Sequence, residues 1–247
     1  MVTVLLVNSD SASSQDLGSE FQQAGIDKYA YKPPSQSPPA QWPTLQELIN
    51  QNTRLVTFIA SLSGSNAAAP YLMDEFSFIF ENNYDIKSSS AFSCDPDRPP
   101  TVKGNMQTAL SSNRLPFMNH FLYQTSFLGI ETPNVSYVGT TNAPSGGEGN
   151  LGDAANKCKA AYHRQPTFIL VDFFDQGPAI STVDMLNGVT NPVGRKDPQT
   201  EKEQANSHVY KGLLDLVNTA KSGKNPSIGE WVWAGGDWDS AGGGVSL

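Results

Sequence analysis

Two acidic side chains stand in surroundings that make them candidates for catalysis or for charge pairing. Asp172 lies inside a strongly apolar run, and Glu81 ends another. A carboxylate among apolar side chains is costly unless it is paired or hydrogen-bonded. As a pair they could be the acid and base of a glycosidase, which needs carboxyl groups about 5–9.5 Å apart, with Trp42 and Tyr84 stacking on the sugar. The alternative is a core ion pair for each, with partners such as Arg54, Arg114 or Arg164.

Further polar residues stand where predicted strands end. They are Asn8, Asp10, Ser61, Asn82 and Asn119. The carboxyl ends of parallel strands carry the catalytic residues of barrel enzymes. Strand ends are also turns, however, and turns favour Asn, Asp and Ser for conformational reasons alone. Both interpretations remain open from the residues themselves.

The cysteines and histidines do not have the spacing of a metal site, so no metal is predicted. Cys94 and Cys158 are either two buried thiols or one disulfide. His120 falls within a predicted strand, His163 ends a predicted helix, and His208 lies on a late polar helix. We expect structural or surface roles for all three histidines.

The elements that position these residues alternate along the chain. Apolar runs predict five strands, at residues 2–7, 54–60, 76–81, 116–122 and 167–174. Helices are predicted at 13–24, from Pro43, around 70–75, at 151–163, 178–187 and 200–220. Residues 82–104 and 124–149 are predicted to be irregular. The alternation predicts a parallel α/β sheet, in which the continuous apolar run at 2–7 would be buried on both faces.

Composition narrows the classes of function. The chain has 24 acidic and 16 basic residues and a net charge of −8, which argues against nucleic-acid binding. No apolar run approaches the roughly 18 residues of a transmembrane helix. The opening run is interpreted as a strand rather than a signal peptide. Few charges and abundant Ser, Asn and Gly are typical of a secreted protein.

Seven segments together resemble the fungal phosphatidylinositol-specific phospholipase C-like phosphodiesterases. Three of them are Cys94-Asp95-Pro96-Asp97-Arg98-Pro99, Gly149-Asn150-Leu151-Gly152-Asp153-Ala154-Ala155 and Leu170-Val171-Asp172-Phe173-Phe174, and the others are residues 42–48, 54–60, 74–84 and 118–121. The resemblance runs from residue 2 to about 195, and residues 231–236 resemble the end of such proteins. It implies a TIM-type (β/α) barrel that is incomplete here, with about five of eight strands, the fourth to the eighth. Residues 1–195 would be the C-terminal portion of this barrel, and 196–247 a C-terminal helix and a Gly- and Trp-rich tail.

The same resemblance implies a phosphoric diester hydrolase that acts on a phospholipid or a related phospho-alcohol. Such enzymes use a base and an acid histidine after their first and third strands, which would precede this chain. Asp172 would orient the missing base histidine. Glu81, Asn8 and Asn119 are assigned to substrate binding, although Asn8 stands where bacterial relatives often carry Lys, which argues against inositol recognition. Cys94 and Cys158 match family positions, which favours the disulfide.

The predicted partner is a small-molecule or lipid head-group substrate, with transient contact to a membrane surface and no cofactor. The full-length protein is expected to be secreted. Two alternatives remain beside the hydrolase: a catalytically silent truncated chain or binding remnant, and the glycosidase that would use Asp172 and Glu81. A partial barrel would also leave strands 2–7 and 167–174 as unpaired edges, so we expect the isolated chain to oligomerise or aggregate.

Overall fold

The computed structural model describes residues 1–62, 64–125 and 129–192 of the chain. The predicted helix at 200–220, the segment 196–247 and His208 lie outside the described residues.

The described residues include nine strands in three sheets. The strands are β1 (Val2–Val7), β2 (Leu55–Ala60), β3 (Leu72–Asp74), β4 (Ile79–Asn82), β5 (Pro96–Arg98), β6 (Leu115–Asn119), β7 (Tyr123–Thr125), β8 (Glu131–Pro133) and β9 (Phe168–Leu170). One sheet has the order β1-β2-β3, a second has the order β5-β4-β6-β9, and β7 pairs with β8. The pairs β1–β2, β2–β3, β4–β6 and β6–β9 are parallel, whereas β4–β5 and β7–β8 are antiparallel.

Seven α-helices lie in the same part of the chain. They are α1 (Ser14–Gln23), α2 (Leu45–Asn50), α3 (Glu75–Phe78), α4 (Met106–Ser111), α5 (Val138–Thr141), α6 (Leu151–Tyr162) and α7 (Ala179–Leu186). Ser13 caps α1 by accepting a hydrogen bond from the Asp16 amide. Thr44 caps α2 in the same way through Glu47, so this helix begins at Leu45 and not at Pro43. These caps satisfy backbone donors that each helix start leaves free.

The prediction for residues 70–81 was wrong in detail. Leu72–Asp74 is a strand and not a helical turn, and the predicted strand at 76–81 is interrupted by the short helix α3. Asp74 causes the interruption because its carboxylate accepts from the amide and hydroxyl of Ser77, at 2.9 and 2.7 Å. The apolar run therefore serves both sheets, with β3 on β2 and β4 on β6.

The first and last predicted strands also differ from expectation. β1 is exposed at Val2 and partly buried further on, not buried on both faces, because only β2 pairs with it among the described strands. The last strand covers Phe168–Leu170 rather than 167–174, so Asp172 follows it in a turn. The segments predicted as irregular contain β5, in 82–104, and β8 and α5, in 124–149.

One buried cluster joins the two larger sheets. Phe58 of β2, Ile79 of β4 and Phe117 of β6 belong to it, and Phe168 of β9 packs against it. The ring centroids of Phe58 and Phe168 lie 5.7 Å apart, although β2 and β9 belong to different sheets. The two sheets therefore curve around a shared apolar interior, which we call the inner cluster. Closure into a TIM-type barrel stays a prediction.

Helices cover the opposite faces of the sheets. Phe21 of α1 packs with Leu55 and Ile59 of β2. Phe80 of β4 and Met118 of β6 pack with residues of α4 and α6. The disulfide between Cys94 and Cys158 lies in this second layer, where its Cα atoms are 5.1 Å apart. The disulfide prediction is confirmed.

Candidate active site

Glu81 and Asn119 lie together at the carboxyl ends of β4 and β6. Side chains alternate between the faces of a strand, and Ile79 and Phe117 face the inner cluster. Glu81 and Asn119 stand two residues further along and extend the same face. The Asn119 side-chain amide donates to Glu81 Oε2 at 3.2 Å. The structure thus brings these two predicted site residues together.

Arg98 completes this polar group from the antiparallel strand β5. Its Nη2 donates to Glu81 Oε2, the oxygen that Asn119 also contacts. The guanidinium carbon lies 4.2 Å from the Tyr84 ring centroid and 5.3 Å from that of Phe76, within cation–π range. Glu81 is therefore in a core ion pair, but its partner is Arg98 and not Arg54, Arg114 or Arg164 as predicted. Glu81 itself is 2% exposed, whereas 23% of the Arg98 side chain is exposed.

A second buried carboxyl group stands beside this pair. Glu75, in the first turn of α3, is buried and forms a side-chain hydrogen bond with Glu81. Burial raises the pKa of Glu75 strongly, and the hydrogen bond to Glu81 and the nearby Glu81 charge raise it further, whereas Arg98 lowers it less. Glu75 is therefore neutral at pH 7 and donates to the Glu81 carboxylate.

A reciprocal pair of asparagines fixes the ends of β4 and β6. The backbone N–H of Asn119 donates to Asn82 Oδ1 at 2.6 Å, and the Asn82 side chain donates to the backbone carbonyl of Asn119 at 3.1 Å. The Asn119 side chain also donates to the Asn82 carbonyl at 3.1 Å. Both residues are buried. These bonds hold Asn119 in the orientation in which it reaches Glu81.

Asp172 lies in a small pocket beyond the end of β9. Phe121, Thr141 and Asn142 are among the residues that line this pocket. Asp172 Oδ2 is buried and has no hydrogen-bond partner among the described residues. Burial raises the pKa of Asp172 to about 6. The core ion pair that was the alternative for Asp172 is not found in the described part of the chain.

His120 forms no hydrogen bond with Asp172 in the described part of the chain. It directly follows β6, is fully buried, and stacks on Phe92 with ring centroids 4.3 Å apart. Its Nε2 forms a hydrogen bond with the Thr141 carbonyl oxygen at 3.0 Å. Burial lowers its pKa to about 4, against the opposing effect of the Thr141 and Gly149 backbone. His120 is therefore neutral at pH 7, its Nδ1 is buried without a partner among the described residues, and its structural role stays a prediction. His163 is exposed at the end of α6.

Asn8 does not join the other predicted site residues. Along β1, Leu5 packs on the inner cluster, whereas Val4 and Leu6 pack on the α1 side. Strand alternation therefore places Asn8 on the α1 side. There its side chain accepts from the Ala12 amide at 2.8 Å and donates to the Ala12 carbonyl at 2.9 Å. Its assignment to substrate binding stays a prediction.

The aromatic rings that a glycosidase would use are engaged within the protein. The Trp42 indole donates to the Asn113 carbonyl at 2.8 Å and packs against the inner cluster. Tyr84 is buried, and the Arg98 guanidinium covers its ring. The Tyr84 ring is therefore closed to a sugar, whereas Trp42 is only partly buried, and the glycosidase alternative stays a prediction.

Three residues of the site were missed in the sequence. Arg98 pairs with Glu81 across an antiparallel contact that the Pro-rich motif 94–99 does not reveal. Glu75 could have been noticed, since it adjoins the same apolar run as Glu81. Asn142 lies in a loop with several other polar residues and carries no distinguishing signal. Within the described ranges, no group of three or more His, Cys, Asp or Glu residues could hold a metal ion.

No helix in the described part of the chain is long and apolar enough to cross a membrane.

Comparison with known families identifies the class of protein. The family model described as PI-PLC X 1 matches residues 1–187, which is well over half of the chain. The chain therefore belongs to the PI-PLC X family, and the resemblance seen in the sequence is confirmed.

Two relatives come from Arthroderma benhamiae. A protein named PI-PLC X domain-containing protein 1 is 34% identical over 190 residues, which are 76% of this chain and 59% of that protein. A protein named uncharacterized secreted protein is 30% identical over 198 residues, which are 77% of this chain and 43% of that protein. The chain thus spans about half the length of these relatives. No solved structure matches it.

Proposed function

We propose that this chain supplies the carboxyl-terminal strands of a phosphatidylinositol-specific phospholipase C-like phosphodiesterase. In this proposal Asp172 orients a base histidine carried by an additional segment of a longer protein. The chain's membership of the PI-PLC X family supports the reaction type. The substrate would be a phospholipid or a related phospho-alcohol, cleaved at a phosphodiester, with no cofactor required.

The unpaired carboxylate of Asp172 is the observation that carries this proposal. A buried carboxyl oxygen without a partner is costly, and Oδ2 of Asp172 has none among the described residues. An imidazole N–H placed in the adjoining pocket would satisfy this oxygen. It would also lower the raised pKa of Asp172, because the imidazolium that forms during proton abstraction favours the ionised carboxylate. An acid that orients and stabilises a base histidine needs this arrangement.

In the polar group formed by Glu81, Asn119 and Arg98, a substrate head group would reach Arg98 first. Its side chain is partly exposed, whereas Glu81 and Asn119 are buried beneath it. Guanidinium groups bind phosphate and hydroxyl oxygens through several donors at once. We propose that Glu81 and Asn119 contribute to substrate binding by holding Arg98 toward the substrate.

The barrel itself is part of the proposal. The contact between Phe58 and Phe168 across the inner cluster supports strong curvature of the two sheets. Further strands between β1 and β9, together with pairing of β3 to β4, which lie in separate sheets here, would close a cylinder and cover the β1 and β9 edges. We propose secretion of the full-length protein, supported by the relative that is named a secreted protein, and transient contact with a membrane surface that presents the lipid.

The 247-residue chain alone is proposed to be catalytically silent. His120 is buried with its Nε2 on a backbone carbonyl, and His163 is exposed at a helix end. Neither lies in the Asp172 pocket. This observation favours the silent-chain alternative for the isolated chain while leaving the hydrolase proposal for a longer protein.

The test compares two proteins on vesicles that contain phosphatidylinositol. One is the 247-residue chain, and the other is extended by the coding sequence upstream of Met1. We expect the extended protein to release a phosphorylated head group and its Asp172→Asn variant to be slower by about 10⁴-fold, as when a triad carboxylate is replaced. A folded extended protein with no release from phosphatidylinositol or from vesicles of other phospholipids contradicts the proposal. Rapid release by the 247-residue chain contradicts the missing-histidine mechanism.

A further inference from the structure

The side chain of Asn142 forms hydrogen bonds with the turn that follows β9 and contains Asp172, Phe173 and Gln176. Asn142, directly after α5, is fully buried. Its Nδ2 lies 3.1 Å from the carbonyl oxygen of Asp172, 3.3 Å from that of Phe173 and 2.8 Å from that of Gln176. Three carbonyl oxygens thus converge on one amide group, which has only two N–H bonds. Asn142 therefore sits at the centre of the turn.

Backbone preferences alone do not hold this turn. Phe173 has φ 47°, a left-handed conformation that bulky side chains rarely adopt. Gly177 has φ +74°, and a Cβ atom there would lie 3.3 Å from Asn142 Cβ and 3.2 Å from Gly139 Cα. Strained backbone persists only where surrounding contacts over-determine it. The hydrogen bonds from Asn142 supply such contacts at the residue that carries the candidate catalytic carboxyl group.

Asn142 is itself held from two sides. The backbone N–H of Asn142 donates to the Val138 carbonyl at 2.9 Å, and the backbone carbonyl of Asn142 accepts from the Thr182 hydroxyl at 3.0 Å. Thr182 belongs to α7 and is fully buried. Helix α5, the turn after β9 and helix α7 are therefore tied together through one asparagine. A change at this residue would move the turn relative to both helices.

We propose that Asn142 is a positioning residue that fixes the backbone of Asp172 and so aims its carboxyl group into the pocket. This inference rests on the proposed function of Asp172. Asn142 also lines the pocket, and its Oδ1 is buried without a partner among the described residues. Asn142 Oδ1 and Asp172 Oδ2 are thus two buried, unpartnered hydrogen-bond acceptors on residues that line the pocket.

The direct test is the titration of Asp172 in the 247-residue chain, followed by ¹³C NMR of labelled aspartate carboxyl groups. Asp172→Asn identifies the signal. The wild-type midpoint is expected near pH 6 because of burial. In Asn142→Ala the released turn admits water to the carboxyl group, so we expect the midpoint to fall by at least one pH unit.

Asn150→Ala is the matched control. Asn150 is an equally buried asparagine that caps α6 through the Asp153 amide and does not contact the turn. It should weaken the fold without changing the Asp172 midpoint. A folded Asn142→Ala protein in which Asp172 titrates as in the wild type, or an equal shift in Asn150→Ala, overturns the inference.

A second variant changes the turn at Gly177, which packs against Asn142. Gly177→Ala leaves Asn142 intact but places a methyl group against Asn142 Cβ and Gly139, which pushes the turn away. We expect it also to lower the Asp172 midpoint, and an unchanged midpoint contradicts the proposal even if Asn142→Ala does not fold.

The NMR measurement needs no turnover, so it separates this inference from the proposed function. In the extended protein we expect Asn142→Ala to lower kcat about tenfold or more with little change in KM. If the extended protein releases no head group while the Asp172 midpoint shifts in both variants, the hydrolase proposal fails and the positioning role of Asn142 stands.

Discussion

At the scale of single residues, the fully buried His120 near the end of β6 and the half-buried Asp172 near the end of β9 respond to pH in opposite directions. His120 has a pKa lowered from 6.5 to about 4. Between pH 4 and 6.5, His120 binds a proton in the unfolded chain but not in the folded chain. The contribution of His120 to the free energy of unfolding therefore rises with pH. Asp172 has a pKa raised from 3.8 to about 6. Between pH 3.8 and 6, Asp172 binds a proton in the folded chain but not in the unfolded chain. The contribution of Asp172 to the free energy of unfolding therefore falls as pH rises.

The two contributions should largely cancel between pH 4 and 6 in the wild type. Asp172→Asn removes the falling contribution, so its free energy of unfolding should rise with pH relative to wild type, by at most about 1.4 kcal/mol per pH unit. His120→Gln, which keeps a donor for the Thr141 carbonyl, should show the opposite slope. Urea unfolding at pH 4, 5 and 6 measures both. Parallel curves for all three proteins would show that neither group titrates as described.

The carboxyl pair of Glu75 and Glu81 gives a second residue-scale prediction. Because Glu75 is neutral and Glu81 is the partner of Arg98, Glu75→Gln should preserve the stability within about 1 kcal/mol at pH 7. Glu81→Gln leaves the Arg98 guanidinium without its carboxylate and should cost about 3 kcal/mol or more. Urea unfolding of both variants provides the comparison. Equal losses would mean that Glu75 is ionised in the folded chain.

Individual site residues could be predicted from the amino-acid sequence better than their interaction partners. Glu81 and Asp172 could be selected because each is a charge in or beside an apolar run. The pairing of Glu81 with Arg98 depends on an irregular antiparallel contact between β4 and β5, which no local pattern encodes. The role of Asn142 depends on three carbonyl groups about thirty residues away. Such contacts arise only when the chain has folded.

At the scale of secondary-structure elements, β2 was predicted to within one residue because its apolar run is fully buried, whereas the strand predicted at 116–122 ends at Asn119. The errors lie where a short polar contact overrides the apolar pattern. Asp74 caps α3 and divides the predicted third strand into β3 and β4. A period of two or of 3.6 residues cannot be read from pieces of three or four residues, so the division could not be predicted.

The disulfide between Cys94 and Cys158 joins the loop before β5 to helix α6. It closes a long stretch of chain, because the two cysteines are 64 residues apart. Loop-closure entropy then predicts that replacing both cysteines by alanine lowers the free energy of unfolding by about 4 kcal/mol. Urea unfolding of the double variant, beside the wild type with and without reductant, measures this loss. A loss below about 1 kcal/mol would mean that α6 is held by packing alone.

At the scale of the whole molecule, the two larger sheets have four edge strands among the described residues, β1 and β3 in one sheet and β5 and β9 in the other. We call the unpaired edges of β1 and β9 the borders. β1 pairs only with β2, and β9 only with β6, among the strands of the described ranges. The side chain of Val2 is 57% exposed at the β1 border. An exposed apolar strand edge is a template for pairing with another chain. The same arrangement would be removed by additional strands in a longer protein.

The isolated 247-residue chain is therefore expected to self-associate through the β1 border, and sedimentation at several concentrations would measure this. A lysine on an edge strand opposes such pairing, so Val2→Lys should shift the chain toward monomer. Leu45→Lys is the control because Leu45 is 65% exposed on α2, outside any strand, and it should leave the association unchanged. If the wild type is a monomer at all concentrations, the border needs no neighbour and the argument for missing strands loses its physical basis. If both lysine variants dissociate the chain equally, general surface charge is the cause and not strand pairing.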